Sequence, residues 1–266
     1  MVLSFLNMAA EEAVEHSTGG AGFILEEVSD HVLVKLPTVL GIDLSITKMV
    51  LMMWIAAAFL IVLFGVSFRK KRLIPKGWAN LLESVVLFLR NDILHPYLGE
   101  NTPRFSPYIL TAFFFILVSN LLGVIPMGTE ATSNISVTAT LAVFTFLIGQ
   151  GASLKKFGVI GYVKKFVPPD IPFFVIPIIF IAEVMGLFTK HFALAIRLFA
   201  NMIADHLIVV TVIGLIFIFN SYAAIPVSIG MGVAVELLVI LIAFIQAYIF
   251  TMLSAVFIGL ALAEEH

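Results

Sequence analysis

Eight polar side chains stand in two stretches that are otherwise apolar enough for lipid: Glu183, Lys190, Arg197, Asn201, Asp205 and His206 in the first, Glu236 and Gln246 in the second. Arg197 is the hardest to accommodate. Its guanidinium cannot shed its proton, and a charge at mid-bilayer costs roughly 2.5–3.5 kcal/mol on insertion scales. It therefore needs an acidic partner, from this chain or another. A histidine titrates near neutral pH, and burial raises a carboxyl towards that range. A histidine and a carboxylate in such segments thus have the chemistry of a proton relay. A fixed cation between two relays would lower the pKa of any approaching carboxyl and make it release its proton.

Read as a helix at 100° per residue, the first stretch puts Glu183, Lys190 and Arg197 at intervals of seven, nearly on one face. Asn201 is one turn beyond Arg197, and Asp205 one turn beyond Asn201. His206, nine positions from Arg197, falls about half a turn around. Glu236 and Gln246, ten apart, diverge by about 80°. Each group also has a plainer role. Glu183 and Lys190 can pair or face water at a helix end. Asp205 and His206 can form a local polar patch, and Gln246 can bond a neighbouring helix.

The elements that must hold these residues are membrane helices. Residues 49–68 form a charge-free run of 20, enough to cross about 30 Å of hydrocarbon. The run ends at Arg69, Lys70, Lys71 and Arg72. By the positive-inside rule that end is cytoplasmic, which puts the polar, acidic segment 1–46 outside and leaves 47–266 as the membrane domain. Residues 1–10 are too short, and lack the basic start, for a signal peptide.

Residues 77–98 mix apolar positions at steps of three and four with Asn80, Glu83, Arg90, Asn91 and Asp92. That pattern predicts an amphipathic helix on the membrane surface. Residues 105–129 and 131–154 read as a transmembrane hairpin around a polar turn, with Lys155, Lys156, Lys164 and Lys165 flanking its return. Asn120, in the first arm, is expected to hydrogen-bond a neighbouring helix. The stretches 171–220 and 223–263 are too long to stand upright, since fifty residues of helix would run roughly 75 Å. They are expected to be tilted, broken or folded back, with Pro172 and Pro177 as possible breaks at the start of the first. The fold class is all-α integral membrane protein.

Composition agrees: 61% hydrophobic and 12% charged, with mean hydropathy +1.12, against about 25% charged residues in soluble domains. The chain has no cysteine, which excludes disulfides and thiolate metal sites. It has no basic patch with interleaved aromatics, so nucleic acid is not an expected partner.

The run Phe192-Ala193-Leu194-Ala195-Ile196-Arg197-Leu198-Phe199-Ala200-Asn201-Met202, followed by His206, resembles the signature of subunit a of F-type ATP synthases. Asn120-Leu121-Leu122-Gly123-Val124-Ile125-Pro126 resembles that family's second motif, and Ile245-Gln246-Ala247-Tyr248-Ile249-Phe250-Thr251 its third. The three stand in order across most of 110–262.

The resemblance implies a stator subunit that carries protons through two half-channels to and from the carboxylates of a c-subunit ring. It implies the b-subunit peripheral stalk and the rest of the synthase as further partners. The implied fold is one upright helix, a surface amphipathic helix, a hairpin and two long tilted helices against the ring. Arg197 becomes the arginine dividing the half-channels, with Asn201 and Gln246 near it. His206 and Glu236 line the outer half-channel and Glu183 the cytoplasmic one. The implied location is a bacterial inner membrane, N-terminus outside and C-terminus cytoplasmic.

The chain departs from the family pattern at Asp205, where glycine is usual; an acid there can join the relay or pair with His206. His191 stands where proline is common and is given no role. There is no Gly-rich phosphate loop ending in Lys-Ser/Thr. The chain is therefore expected to be non-catalytic by itself and to need no cofactor, ATP chemistry lying in partner chains. The coupling ion, H⁺ or Na⁺, is set by groups around the ring carboxylate, on another chain. A secondary transporter would show inverted repeats, and none is visible. A haem-binding redox subunit would need paired intramembrane histidines; of six histidines only His206 is clearly intramembrane.

Overall fold

The structure is a computed structural model describing residues 32–35, 45–69, 77–125, 131–166, 172, 174–219 and 224–263; side chains of 32, 205–207, 209–219 and 224–229 lie outside the description. Two short antiparallel strands, β1 (Val32–Val34) and β2 (Ile46–Thr47), pair Val32 with Thr47 and Val34 with Ile46. The sequence pattern predicts no strand there.

The remaining elements are helical. α1 (Lys48–Ser67) starts where Thr47 Oγ1 accepts the Val50 amide at 3.4 Å, a side-chain cap for an otherwise unpaired donor. Its exposed face carries Trp54, Phe59, Ile61, Val62 and Val66, which suits lipid rather than water. α2 (Trp78–Phe88) passes through a π-helical turn, Leu89–Leu94, into the short α3 (His95–Leu98). The stretch 77–98 is thus helical, with Leu82, Leu89, Ile93 and Leu94 buried. Gly99, at φ 53°, ends α3 with a backbone that a side chain would strain.

α4 (Thr102–Val124) and α5 (Ile135–Lys164) form the two arms of the hairpin. α4 has Pro103 in its first turn, where a missing N–H is no loss. It stops when Ile125 turns extended (φ −71°, ψ 132°), the conformation that the following proline, Pro126, favours. A 3₁₀ turn, Ala131–Ser133, precedes α5. Asn134 caps α5 by accepting the Ser136 amide at 2.8 Å. α5 continues past 154, through Lys155 and Lys156, and bends at Gly158, whose φ of 68° interrupts the helical path. α6 (Ile176–Phe219) and α7 (Ala224–Leu262) are the two long helices. Each is one helix rather than a broken pair. Pro177 is the second residue of α6, where proline is tolerated.

Among the described residues, five helical stretches are long and apolar enough to cross a membrane: Lys48–Ser67, Trp78–Val124, Ile135–Lys164, Ile176–Ala204 and Gly230–Leu262. The protein is an all-helical, multi-pass integral membrane protein, apart from the two short strands.

The chain divides into two compact units, one of Met1–Leu51 with Ile203–Leu238, the other of Met52–Met202 with Val239–His266. The larger unit has the apolar core, in which Ile109, Phe113 and Ile116 of α4 cluster with Leu194 and Leu198 of α6 and Phe250 and Ile258 of α7. Polar groups join its helices as well. Tyr108 Oη lies 2.9 Å from Thr145 Oγ1, and Thr145 Oγ1 lies 3.5 Å from Ser254 Oγ, so α4, α5 and α7 share one buried hydroxyl chain. Such bonds average about 0.6 kcal/mol each in membrane helices.

Candidate functional site

In the larger unit α6 turns Leu194, Ala195, Leu198 and Met202 inward, all buried. Arg197 lies on the opposite face and is exposed. Its neighbours on that face, Ala193 and Ala200, are exposed too. The guanidinium therefore stands on an open helix surface between two side chains too small to cover it.

One turn after Arg197, Asn201 Nδ2 donates to Gln246 Oε1 of α7 at 2.7 Å. Gln246 is 1% exposed, so this amide pair is a polar link between the two long helices, set in apolar packing. The other end of the Gln246 amide, Nε2, is buried without a hydrogen-bond partner among the described residues. The structure thus brings together two of the residues read from the sequence and leaves Arg197 one turn away on the outer face.

Glu183 lies nearer the start of α6 and is exposed. It borders a cavity of about 160 Å³ between α5, α6 and α7, whose polar lining includes Gln150, Ser153, Tyr162, Lys190 and His191. Tyr162 Oη donates to Gln150 Oε1 at 2.9 Å. Lys165, also on the cavity wall, donates from Nζ to the carbonyls of Leu260, Ala261 and Ala263 at 2.6, 2.9 and 3.0 Å. Lys156 Nζ reaches the Leu262 carbonyl at 3.1 Å. These two lysines satisfy carbonyls that a helix end leaves open, so the α7 C-terminus is tied to α5. Sequence reasoning had treated the lysines only as topology markers, and had given His191 no role although it lies eight positions, two steps of four, beyond Glu183.

Glu236 belongs to the smaller unit and is half-buried. Asp205 and His206 lie on the α6 backbone, and their side chains lie outside the described residues. Asn120, 1% exposed, accepts from Thr132 Oγ1 at 2.7 Å. Its partner is thus in the 3₁₀ turn of the hairpin, not on a facing helix as the sequence reading expected, so the asparagine ties the turn to the end of α4.

Residues 50–259 match the family model described as ATP synthase A chain. A protein of Chloroherpeton thalassium described as ATP synthase subunit a is 46% identical over 261 residues, covering 96% of this chain and 77% of its own length. One from Chlorobium luteolum, described as ATP synthase subunit a 2, is 46% identical over 266 residues, covering 97% and 77%. Another of that description from Chlorobaculum tepidum is 49% identical over 236 residues, covering 85% and 66%. With the matched model spanning most of the sequence and relatives this similar along nearly all of it, the chain belongs to the ATP synthase A chain family.

Proposed function

We propose that this membrane-sector subunit conducts protons between the two membrane faces and the carboxylates of a ring of c subunits, turning proton flow into ring rotation. The observation that carries the reading is the setting of Arg197: an exposed cation on an apolar helix face, flanked by Ala193 and Ala200 and backed by the Asn201–Gln246 bond. Small neighbours allow a partner helix to approach closely, and the arginine then meets the carboxylate that helix brings.

The chemistry follows from Coulomb's law. A carboxylate about 4 Å from a guanidinium gains about 4 kcal/mol at an effective dielectric of about 20, equivalent to about three pKa units. A ring carboxyl arriving protonated from lipid therefore gives up its proton at Arg197, and the carboxylate takes a new one only after moving away. Proton entry and exit must lie on opposite sides of the arginine. His206 and Glu236 serve the outer side, with Asp205 beside the histidine, and Glu183 serves the cytoplasmic side. The driving force is about 2.3 kcal/mol per charge for each 100 mV.

In this reading the lysine-bearing ends at 69–72 and 155–165 face the cytoplasm, the segment 1–46 lies outside, and 77–98 rests on the membrane surface. The long helices α6 and α7 run tilted against the ring, and the b-subunit stalk holds the chain still while the ring turns. Since the chain has no cysteine of its own, cross-linking tests the ring contact. In the intact complex, Ala193→Cys and Ala200→Cys should each form a disulfide with a cysteine placed one turn from the ring carboxylate. Leu198→Cys, on the buried face, should not. Cross-linking from Leu198→Cys alone would contradict the proposed face.

A further inference from the structure

The cavity beside Glu183 contains a residue that the family resemblance leaves without work. His191 is 8% exposed and is held between Phe146 of α5 and Phe257 of α7, each with its ring centroid 5.1 Å away. Its Nδ1 lies 2.9 Å from the Leu187 carbonyl. A carbonyl can only accept, so Nδ1 carries the hydrogen of that bond. In the neutral ring, Nε2 is then an acceptor. The imidazole is thus fixed in orientation and tautomer, and one nitrogen remains able to take a proton.

The space it borders has the character of a water site. About 160 Å³ is some ten times the minimum needed for one water. Dry cavities are lined by apolar groups, whereas this one is bordered by Gln150, Tyr162, Glu183 and Lys190. Ser153, on the same wall and 1% exposed, has a buried Oγ without a hydrogen-bond partner among the described residues. A buried hydroxyl beside a polar cavity is satisfied by water held in it. Along α6, His191 is eight residues after Glu183 and six before Arg197, roughly 12 Å and 9 Å of helix rise. It stands at an intermediate station between the acid and the arginine.

We propose that His191 is a proton-accepting station of a water-filled cytoplasmic half-channel, taking and releasing a proton at Nε2 between Glu183 and the region of Arg197. The proposal rests on the reading of Glu183 as the cytoplasmic entry. No bond other than N–H and O–H is made or broken, and each proton leaves His191 for water as it arrived. The charged and titratable groups around the cavity are Tyr162 and Lys165 from the α5 side and Glu183 and Lys190 from α6. Among the described residues the α7 wall supplies Phe257, Leu260 and Ala261, none of them titratable.

The test is ATP-driven proton pumping by the intact complex in inverted vesicles, with the cytoplasmic-face pH varied between about 5 and 8, the range in which histidine changes charge. His191→Phe keeps an aromatic ring between Phe146 and Phe257 and removes the acceptor; His191→Gln keeps a polar group that does not titrate. Both should pump about tenfold more slowly, less than the roughly hundredfold that a lost acid–base group costs at the low end because water remains, and both should lose the histidine-range pH dependence. Parental rates and pH profiles in both variants would overturn the proposal.

Glu183→Gln, measured in parallel, separates the two levels. If it slows pumping while the His191 variants do not, His191 is a packing residue and the entry assignment stands. If it leaves pumping at the parental rate, the entry assignment fails and the proposal with it. Hydration has its own readout: Ser153→Cys in the intact complex should be modified on this chain by a small charged methanethiosulfonate added at the cytoplasmic face, and complete protection would contradict a water-filled cavity.

Discussion

Asn201 donates to Gln246 across 2.7 Å, and this one bond joins the two long helices a single turn beyond Arg197. Asn201 gives the N–H and Gln246 receives it, with Gln246 almost fully enclosed at 1% exposure. The pair holds the arginine-bearing turn of α6 in register with α7. In the proposed function, proton release at Arg197 depends on the distance to an arriving carboxylate, so loss of register should affect coupling as well as stability.

Breaking the pair tests this. Asn201→Ala leaves a buried amide unpaired and should destabilise the complex by about 1–3 kcal/mol. Asn201→Ala combined with Gln246→Leu should cost less than the sum of the two single changes, with a coupling of roughly 0.6 to 1.7 kcal/mol, the range for polar pairs between membrane helices. Thermal unfolding of the purified complex measures the cycle. Strict additivity would mean that the bond contributes nothing beyond its two side chains.

A close backbone approach gives a sharper contrast. A Cβ on Gly259 of α7 would lie 2.5 Å from the Tyr97 carbonyl oxygen of α3, whereas a Cβ on Gly149 of α5 would meet Ile258 and Ala261 at 3.7 and 3.8 Å. Backbone cannot rotate aside as a side chain can. Gly259→Ala should therefore lose about 1–3 kcal/mol to overpacking, while Gly149→Ala should keep the parental melting temperature. Equal melting temperatures for the two variants would contradict the close contact.

The lysine clamp on the end of α7 should show in hydrogen exchange. Lys165→Met removes a charged donor shared by three carbonyls, and Lys156→Met removes one that reaches a single carbonyl. Bonds to a charged group contribute about 1.5–3 kcal/mol. Amides of 258–263 should exchange faster in Lys165→Met than in Lys156→Met, and both faster than in the parent. Unchanged protection in Lys165→Met would mean that packing alone fixes this end.

Much of this was legible in the residues. The charge-free run after Lys48, the hairpin arms and the two overlong helices are composition and length, to which the bilayer gives few alternatives. Pro126 shows why α4 stops at Val124. The extension of α5 through Lys155 and Lys156 was less legible, because a positive charge reads as the end of a span although the helical backbone has no reason to stop there. The strand pair escaped notice because two- and three-residue strands carry no periodicity. Asn120 reads as glue, but its partner Thr132 depends on how the hairpin turn folds back. His191 was passed over because a single histidine usually has a local role. Only the cavity, drawn together from residues on three helices, gives it neighbours that point to protons.

The most direct test of the central claim is ATP synthesis by the reconstituted complex carrying Arg197→Ala under an imposed proton gradient and membrane potential, with assembly checked by recovery of the ring with this chain. The account predicts a fully assembled complex whose synthesis falls to background, because ring carboxylates then pass the stator without being made to release their protons. Synthesis sustained at the parental rate in that variant would contradict it.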